Sequence, residues 1–394
     1  MPVRFKFALF AVLTGLLSCT DTTAQINISQ LNGQINTLST AVPFLRITTD
    51  ARAAAMGEAG IATSPDAHAI YWNPAKLSFA EHEFGIVASY TPWLRLLVDN
   101  VFLANISGYK RLNENQALGI SIKYFYLGKV ILFNPHPGVQ GFFRAHEYVT
   151  SVVYARKLCD NLSIGLGLKY IYSNIAAGQT ITGATIKPSK SLAGDISIYY
   201  EKNIIVFNYR SKISHGISLS NVGSKITYTE PADKDFIPTN IGIGTALGME
   251  LNENHDLRFA LDVNKLLVLS QDSTGMVGKG VSAIRGMLGS FSDAPGGFSE
   301  ELAELMFSMG VEYWYRNRFA LRSGYFAEHS TKGNRKYLTA GLGLKLNVFG
   351  LNVSYLIPSN SQRNPLDNTI RFSLLYSFNN KMDPSLSQPP WFKN

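Results

Sequence analysis

The sequence predicts an all-β fold: an antiparallel transmembrane β-barrel of about 14 strands with a short N-terminal plug containing helical turns. Three observations predict it. From residue 83 to residue 378 apolar and polar side chains alternate with a period of two. The runs are close to the roughly 9–11 residues that a tilted strand needs to cross a bilayer. The connections between runs alternate long and short, as in membrane barrels with short periplasmic turns and long outer loops. Charged residues are only 16% of the 394, against 33 glycines, 19 tyrosines and 23 phenylalanines, and mean hydropathy is +0.02. Alternating lipid-facing and lumen-facing residues average to such a profile. No apolar run reaches the roughly 18 residues of a membrane helix.

The chain opens on a secretory leader, expected to be residues 1–24. Arg4 and Lys6 form its basic start, residues 8–17 its apolar core, and Thr22-Thr23-Ala24 a signal-peptidase site. Leu16-Leu17-Ser18-Cys19 reads alternatively as a lipoprotein site, with Leu17 ill suited to it. Cleavage after Ala24 leaves Cys159 alone, which excludes an internal disulfide and a cysteine metal cluster.

Residues 25–82 are expected to form a periplasmic segment and the plug. Residues 26–42 are rich in Asn, Gln, Ser and Thr and read as a loose periplasmic entry. Asp50 or Thr49 can cap a short helix over 51–56, and Gly57 can end it in the left-handed region. A second helical turn is expected from about Pro65, stopping at Asn73-Pro74 because the residue before proline is pushed out of the helical region. Asn73, Pro74 and Ala75 form the turn that seats the plug.

Fourteen strands are expected within the barrel domain, 83–378: 83–91, 100–110, 116–128, 147–157, 161–173, 192–201, 215–222, 240–251, 256–267, 308–315, 318–328, 336–346, 351–357 and 369–378. An even count permits closure, which removes the unpaired edges. One connection breaks the alternation. Residues 202–214 form a long turn on the short side, and Ile204–Phe207 within it reads as a strand extension or a docking hairpin. Aromatics gather at strand ends (Tyr170, Tyr172; Tyr199, Tyr200; Tyr313, Trp314, Tyr315), as in interfacial girdles. Phe378 supplies a terminal aromatic, and the proline-rich tail 379–394 is expected to lie in the periplasm.

Two long connections carry apolar residues. In 268–307 the run Ser299–Phe307 predicts a helical turn capped by Ser299, with Leu302, Leu305 and Met306 on one face. In 129–146, Phe142 and Phe143 stand among further apolar residues. Exposed apolar surface marks contact sites, so these five residues are the candidate cargo or partner contacts.

Catalytic signals are absent from the sequence, and no catalytic, cofactor-binding or metal residues are assigned. Gly242-Ile-Gly244-Thr-Ala-Leu-Gly248 has the wrong spacing for a dinucleotide fingerprint and lies within a strand. The seven histidines do not pair at ligand spacing. The formal charge of +8 is spread without a block of like charges, which argues against nucleic acid but allows contact with lipopolysaccharide phosphates.

Asp50-Ala51-Arg52, Met56-Gly57, Ala59-Gly60, Asp66 and Tyr71-Trp72-Asn73-Pro74-Ala75 resemble the opening of the PorV family, within the FadL-like class of outer-membrane barrels. The Asn-Pro-Ala turn is shared across that class, and the resemblance extends over nearly the whole mature chain. It implies an outer-membrane protein of type IX secretion in a Gram-negative bacterium. It implies binding of the C-terminal signal domains of secreted cargo, received from the large translocon channel and passed to a surface sortase-like attachment protein. The second reading is a FadL-type transporter of hydrophobic small molecules. A third, a lipid hydrolase, lacks a nucleophile–base spacing in sequence, although triads on separate strands escape sequence reading.

Overall fold

The computed structural model describes residues 37–94, 100–132, 141–176, 180–181, 184–229, 234–270, 280–358 and 369–378. The expected leader with Cys19 and the expected tail lie outside the described residues.

Each of the fourteen expected runs is a strand. They are β1 (Phe84–Pro92), β2 (Phe102–Arg111), β3 (Gln116–Leu132), β4 (Gly141–Cys159), β5 (Leu162–Asn174), β6 (Ser189–Val206) and β7 (Tyr209–Gly223). Then follow β8 (Asn240–Asn252), β9 (His255–Leu266), β10 (Met306–Tyr315), β11 (Phe319–Ala327), β12 (Lys336–Leu346), β13 (Phe349–Pro358) and β14 (Ile370–Phe378). Consecutive strands pair antiparallel, and β1 pairs with β14 from Phe84↔Phe378 to Tyr90↔Phe372, so the barrel is closed.

The period of two sorts side chains by face. Ile106, Ile120, Ile122, Leu166, Leu168, Leu192 and Ile196 point outward and are exposed, forming the apolar band of a lipid-facing wall. Aromatic belts bound this band. Near the long connections Tyr90, Phe102, Tyr126, Tyr124, His146, Tyr172 and Tyr148 form a chain of ring contacts across β1–β5. Near the short turns the belt holds Tyr200 with His215, His255 with Tyr313 and Tyr315, and Phe349 with Tyr376, Phe378 and Phe84. Tyr199 and Trp314, expected among these end aromatics, have the opposite parity and are buried on the inner face.

Two stretches expected as connections are largely strand. β3 continues to Leu132 and β4 starts at Gly141, so most of 129–146 is ladder. β6 and β7 run on to a two-residue turn at Phe207-Asn208, both at positive φ (49° and 65°). That is the mirror-image turn whose twist matches a right-handed hairpin. The strand-extension reading of 202–214 therefore holds, and long and short connections alternate throughout.

The plug fills the lumen. Helix α1 (Ala51–Ala54) is shorter than expected and is capped by Asp50, whose carboxylate accepts from Arg52 N. Gly57 ends this segment at φ 66°, as expected. Helix α2 (Ala69–Trp72) begins later than Pro65 and ends at Asn73. Pro74 then opens an unexpected 3-10 helix, Pro74–Phe79, because fixed φ and a missing N–H suit a first helical position. Glycines on the wall admit the plug backbone: a Cβ at Gly324 would collide with Met56 and Gly57. Gly242 and Gly244, the glycines of the false dinucleotide motif, leave the space that Ile61 occupies.

Of the expected entry 26–42, residues 26–36 lie outside the described residues, and Ala41 and Val42 depart from it. Ala41, Val42, Phe44 and Leu45 are buried against Trp93, Val101, Phe125, Ile226 and Ile237, and Ala41 N donates to Phe236 O. This part of the chain closes the long-connection end of the lumen.

Candidate functional site

The Asn73-Pro74-Ala75 turn is the structural centre of the plug. Asn73 is extended (φ −162°, ψ 95°) and fully buried. Its Oδ1 accepts from Ala75 N at 3.1 Å, and its Nδ2 donates to Ile198 O at 3.0 Å and to Ile61 O at 3.3 Å. Ala75 N also donates to Ser197 Oγ, and Ser163 Oγ donates to Ala75 O. One side chain thus ties two plug segments to β6, and the turn is stitched to β5 as well. Both amide protons are donated and the amide oxygen accepts within the turn.

A charged cluster locks the other side. Arg52 makes a two-pronged contact with Glu312 on β10 (Nε–Oε2 2.9 Å, Nη2–Oε1 2.8 Å) and reaches Ser64 O and Oγ. Glu312 also accepts from Arg322 Nε at 2.7 Å and Arg258 Nη1 at 3.3 Å. Register explains the row: Arg258, Glu312 and Arg322 are cross-strand neighbours on β9, β10 and β11. Asp262 on β9 accepts from Gly60 N and Ile61 N, and Lys76 donates to Gly60 O at 2.6 Å. Lys123 on β3 donates to the carbonyls of Phe44, Leu45 and Ile47, satisfying the end of the 3-10 helix Pro43–Arg46.

His68, Ser89 and Asp50 resemble a hydrolytic triad in order. His68 Nε2 lies 3.0 Å from Ser89 Oγ, and Nδ1 lies 3.4 Å from Asp50 Oδ1 and 3.6 Å from Asp66 Oδ1. All three of Ser89, His68 and Asp50 are buried, and Ser89 Oγ is shared with Ser373 Oγ at 2.9 Å. The adjoining void is about 20 Å³, the room of one water. No acyl substrate reaches the hydroxyl, so the constellation pins the plug to β1 and β14. Burial opposes the charge on His68, but Asp50 and Asp66 outweigh it and raise its pKa. Burial lowers Lys76 to about 8.

Among the described residues the lumen opens as a vestibule at the short-turn end. Two adjoining cavities of about 570 Å³ and 360 Å³ share Arg52, Ser64, Arg258 and Glu250 in their linings. Both stop at the plug.

The long-connection rim carries two helices between β9 and β10: α3 (Ala283–Gly289) and α4 (Phe298–Ala303). Buried ion pairs anchor α4: Lys265 with Glu301 (2.8 Å) and Glu304, and Lys332 with Glu300 (2.6 Å) and Glu304 (3.0 Å). Ile284, Leu288, Phe291, Phe298 and Leu302 remain exposed, at 63, 65, 52, 78 and 50%. Of the sequence candidates, Leu302 is exposed and Leu305 half-buried. Met306 is the first residue of β10 and is buried with Phe326, Tyr337 and Leu356. The strand starts two residues earlier than expected, and its inward parity takes Met306 out of the helical face. Ser299 is not the cap; that position is Gly297, and Ser299 Oγ donates to Gly296 O. Phe143 is half-buried on β4, and the Phe142 side chain lies outside the described residues. Ile284 and Leu288, four apart on a helix capped by Ser282, are further exposed residues whose helical spacing is the signal in the sequence.

Among solved structures the chain is similar to a mutant of the TodX monoaromatic hydrocarbon channel, at 12% identity and TM-score 0.51, covering 84% of this chain and 98% of that one. It is similar to the toluene transporter TodX of Pseudomonas putida (12%, TM-score 0.49, 88% and 100% covered) and to a FadL homologue of Pseudomonas aeruginosa (10%, TM-score 0.42, 87% and 99% covered). At these identities the first shows a shared fold, and the other two carry no further argument. No functionally curated protein matches. The family model described as "Type IX secretion system protein PorV" matches residues 30–273, more than half of the chain, and the chain belongs to this family of outer-membrane type IX secretion proteins.

Proposed function

We propose that this protein holds the C-terminal signal domains of secreted cargo at the long-connection rim, between a translocon channel and a surface sortase-like attachment protein. The observation that carries the reading is the pair α3–α4. Five large apolar side chains stay exposed on this connection, and ion pairs to Lys265 and Lys332 anchor α4. Exposed apolar surface of this kind marks a contact site, and a folded β-domain offers grooves and edges to meet it. The plugged lumen is consistent with a dock and not with an open channel.

Replacing Ile284, Leu288, Phe298 and Leu302 together by serine removes roughly 1.5–3 kcal/mol of available burial per side chain. Cargo recovery in pull-down should fall by orders of magnitude, with heat-modifiable mobility unchanged because no strand is touched. Full cargo recovery would reject the rim as the grip.

The fold shared with hydrocarbon channels supports the second reading, transport of hydrophobic small molecules. Native mass spectrometry separates the two. Co-purified secretion proteins favour the dock, whereas a bound apolar ligand without protein partners favours transport.

A further inference from the structure

The β6–β7 hairpin is unlike the other short turns. Tyr200 pairs with His215 at the level of the aromatic belt, so residues 201–214 project beyond the membrane band. The tip, Phe207, stands seven residues past Tyr200, about 23 Å along the strand at roughly 3.3 Å per residue. β5 accompanies β6 only to Leu162↔Tyr200. The last tie on that side is Asn161, whose O accepts from Glu201 N and whose Nδ2 donates to Glu201 O. From Lys202 to Val206 the β6 edge has no neighbouring strand among the described residues.

Backbone alternation fixes what the edge presents. Val206↔Tyr209 closes the two-residue turn, and Ile204↔Ser211 and Lys202↔Ile213 continue the ladder. Glu201 bonds toward β5, so Asn203 and Ile205, two and four residues on, aim their N–H and C=O groups at the open side. Natural sheets blunt such edges with charge, proline or a bulge. Asn203-Ile204-Ile205-Val206-Phe207 has none of these, and Ile205 and Phe207 are 77% and 87% exposed. A β-prone, uncovered edge whose one charge, Lys202, sits at its base is an aggregation hazard in water. Basic side chains flank it on both faces: Lys202 on the outer face and Arg210 on the vestibule face, where Lys212 is paired with Glu201 at 3.2 Å.

We propose that the Lys202–Val206 edge is a strand-addition site for an extended, acidic segment of a partner protein on the short-turn side of the membrane. Main-chain bonds to Asn203 and Ile205 supply the affinity. The flanking cations select acidic side chains and disfavour a second copy of the same basic hairpin.

The test uses the full protein in detergent micelles and a fluorescein-labelled ten-residue peptide alternating valine and threonine, with two aspartates. Anisotropy should rise saturably. Ile205→Pro, which removes an N–H that the ladder with β7 does not use, should weaken binding at least tenfold, whereas Ile205→Ala keeps most of it. A peptide with lysines for aspartates should bind at least tenfold more weakly. Heat-modifiable mobility of each variant confirms the barrel. No saturable binding, or equal binding by the Ile205→Pro protein, would overturn the proposal. A micellar dimer that Ile205→Pro dissociates would also overturn it, in favour of self-pairing.

Discussion

Glu312→Gln should release the plug more readily than Arg52→Met, although the two residues are partners in one ion pair. Glu312 is buried and receives Arg52, Arg322 and Arg258. Its loss leaves three guanidiniums gathered without their shared anion. Loss of Arg52 leaves Glu312 still bonded to Arg322 at 2.7 Å. Breaking a buried pair costs about 3–5 kcal/mol when the remaining charge is uncompensated, so Glu312→Gln belongs at the top of that range and Arg52→Met at or below the bottom. At about 1.4 kcal/mol per factor of ten, plug opening rises by about three and a half powers of ten in the first variant and by about two or fewer in the second. A cysteine at Ala59, buried in the native state, reports opening through its labelling rate in the pre-equilibrium regime. Cys159 must first be replaced, since it is exposed. Equal labelling in both variants, or the reverse order, would refute the shared-anion account.

Further outcomes follow from the same geometry. Asn73→Ala removes three hydrogen bonds, each worth about 1 kcal/mol; assembled barrel should fall, and full abundance and heat stability with lost secretion would instead indicate direct binding. The raised pKa of His68 gives stability that is fully present below its ordinary 6.5 and lost as pH rises through the folded value. Plug labelling, divided by that of a free thiol at the same pH to remove the rising thiolate fraction, should therefore accelerate from pH 6.5 upward in the native protein and not in His68→Gln. Lys76, lowered to about 8 from 10.5, works in the opposite sense between those values, so the comparison belongs below pH 8. A membrane-impermeant maleimide should label a cysteine at Arg285 from outside intact cells and leave Cys159 untouched; the reverse pattern would invert the assignment of long and short connections. Lys123→Met should expose 41–47 to protease by orphaning three carbonyls.

The barrel was legible because its signal is local and repeated. Fourteen alternating runs and the rhythm of their connections need no knowledge of what touches what. Asp50 as cap, Gly57 as stop and Asn73 as the turn were legible for the same reason: each acts within a few residues of itself. The lock was not. Arg52 and Glu312 are 260 residues apart, and only the register of β9, β10 and β11 lines up Arg258, Glu312 and Arg322. The sole trace in the sequence is a charged residue at an inward position of a strand. In the sequence, Lys202 and Asn203 interrupt the alternating period, so 202–214 reads as a long turn, with Ile204–Phe207 as a strand extension or docking hairpin. Asn208 was the available signal. Met306 was misplaced because periodicity cannot say where a helical turn hands over to a strand.

The manner in which the plug is held bears on what the barrel can do. Val42, Phe44, Met56, Ile61, Ile70 and Leu77 are each at most 2% exposed, and burial of such side chains is worth roughly 1.5–3 kcal/mol apiece. The Arg52–Glu312 lock and the Asn73 bonds add to this. Displacing the whole plug therefore costs well over about 10 kcal/mol on these magnitudes. A toluene-sized hydrocarbon, burying on the order of 200 Å² at about 25 cal/mol per Å², supplies about 5 kcal/mol. Such a ligand cannot drive the plug out; a transport route here has to pass beside a seated plug, where the two described mid-barrel voids are about 20 Å³ each. A protein partner meets the molecule differently. The two surfaces proposed above for protein contact, the rim helices at one end and the open β6 edge at the other, are both exposed with the plug in place. The same seated plug that opposes flow through the barrel keeps those two surfaces on a rigid frame.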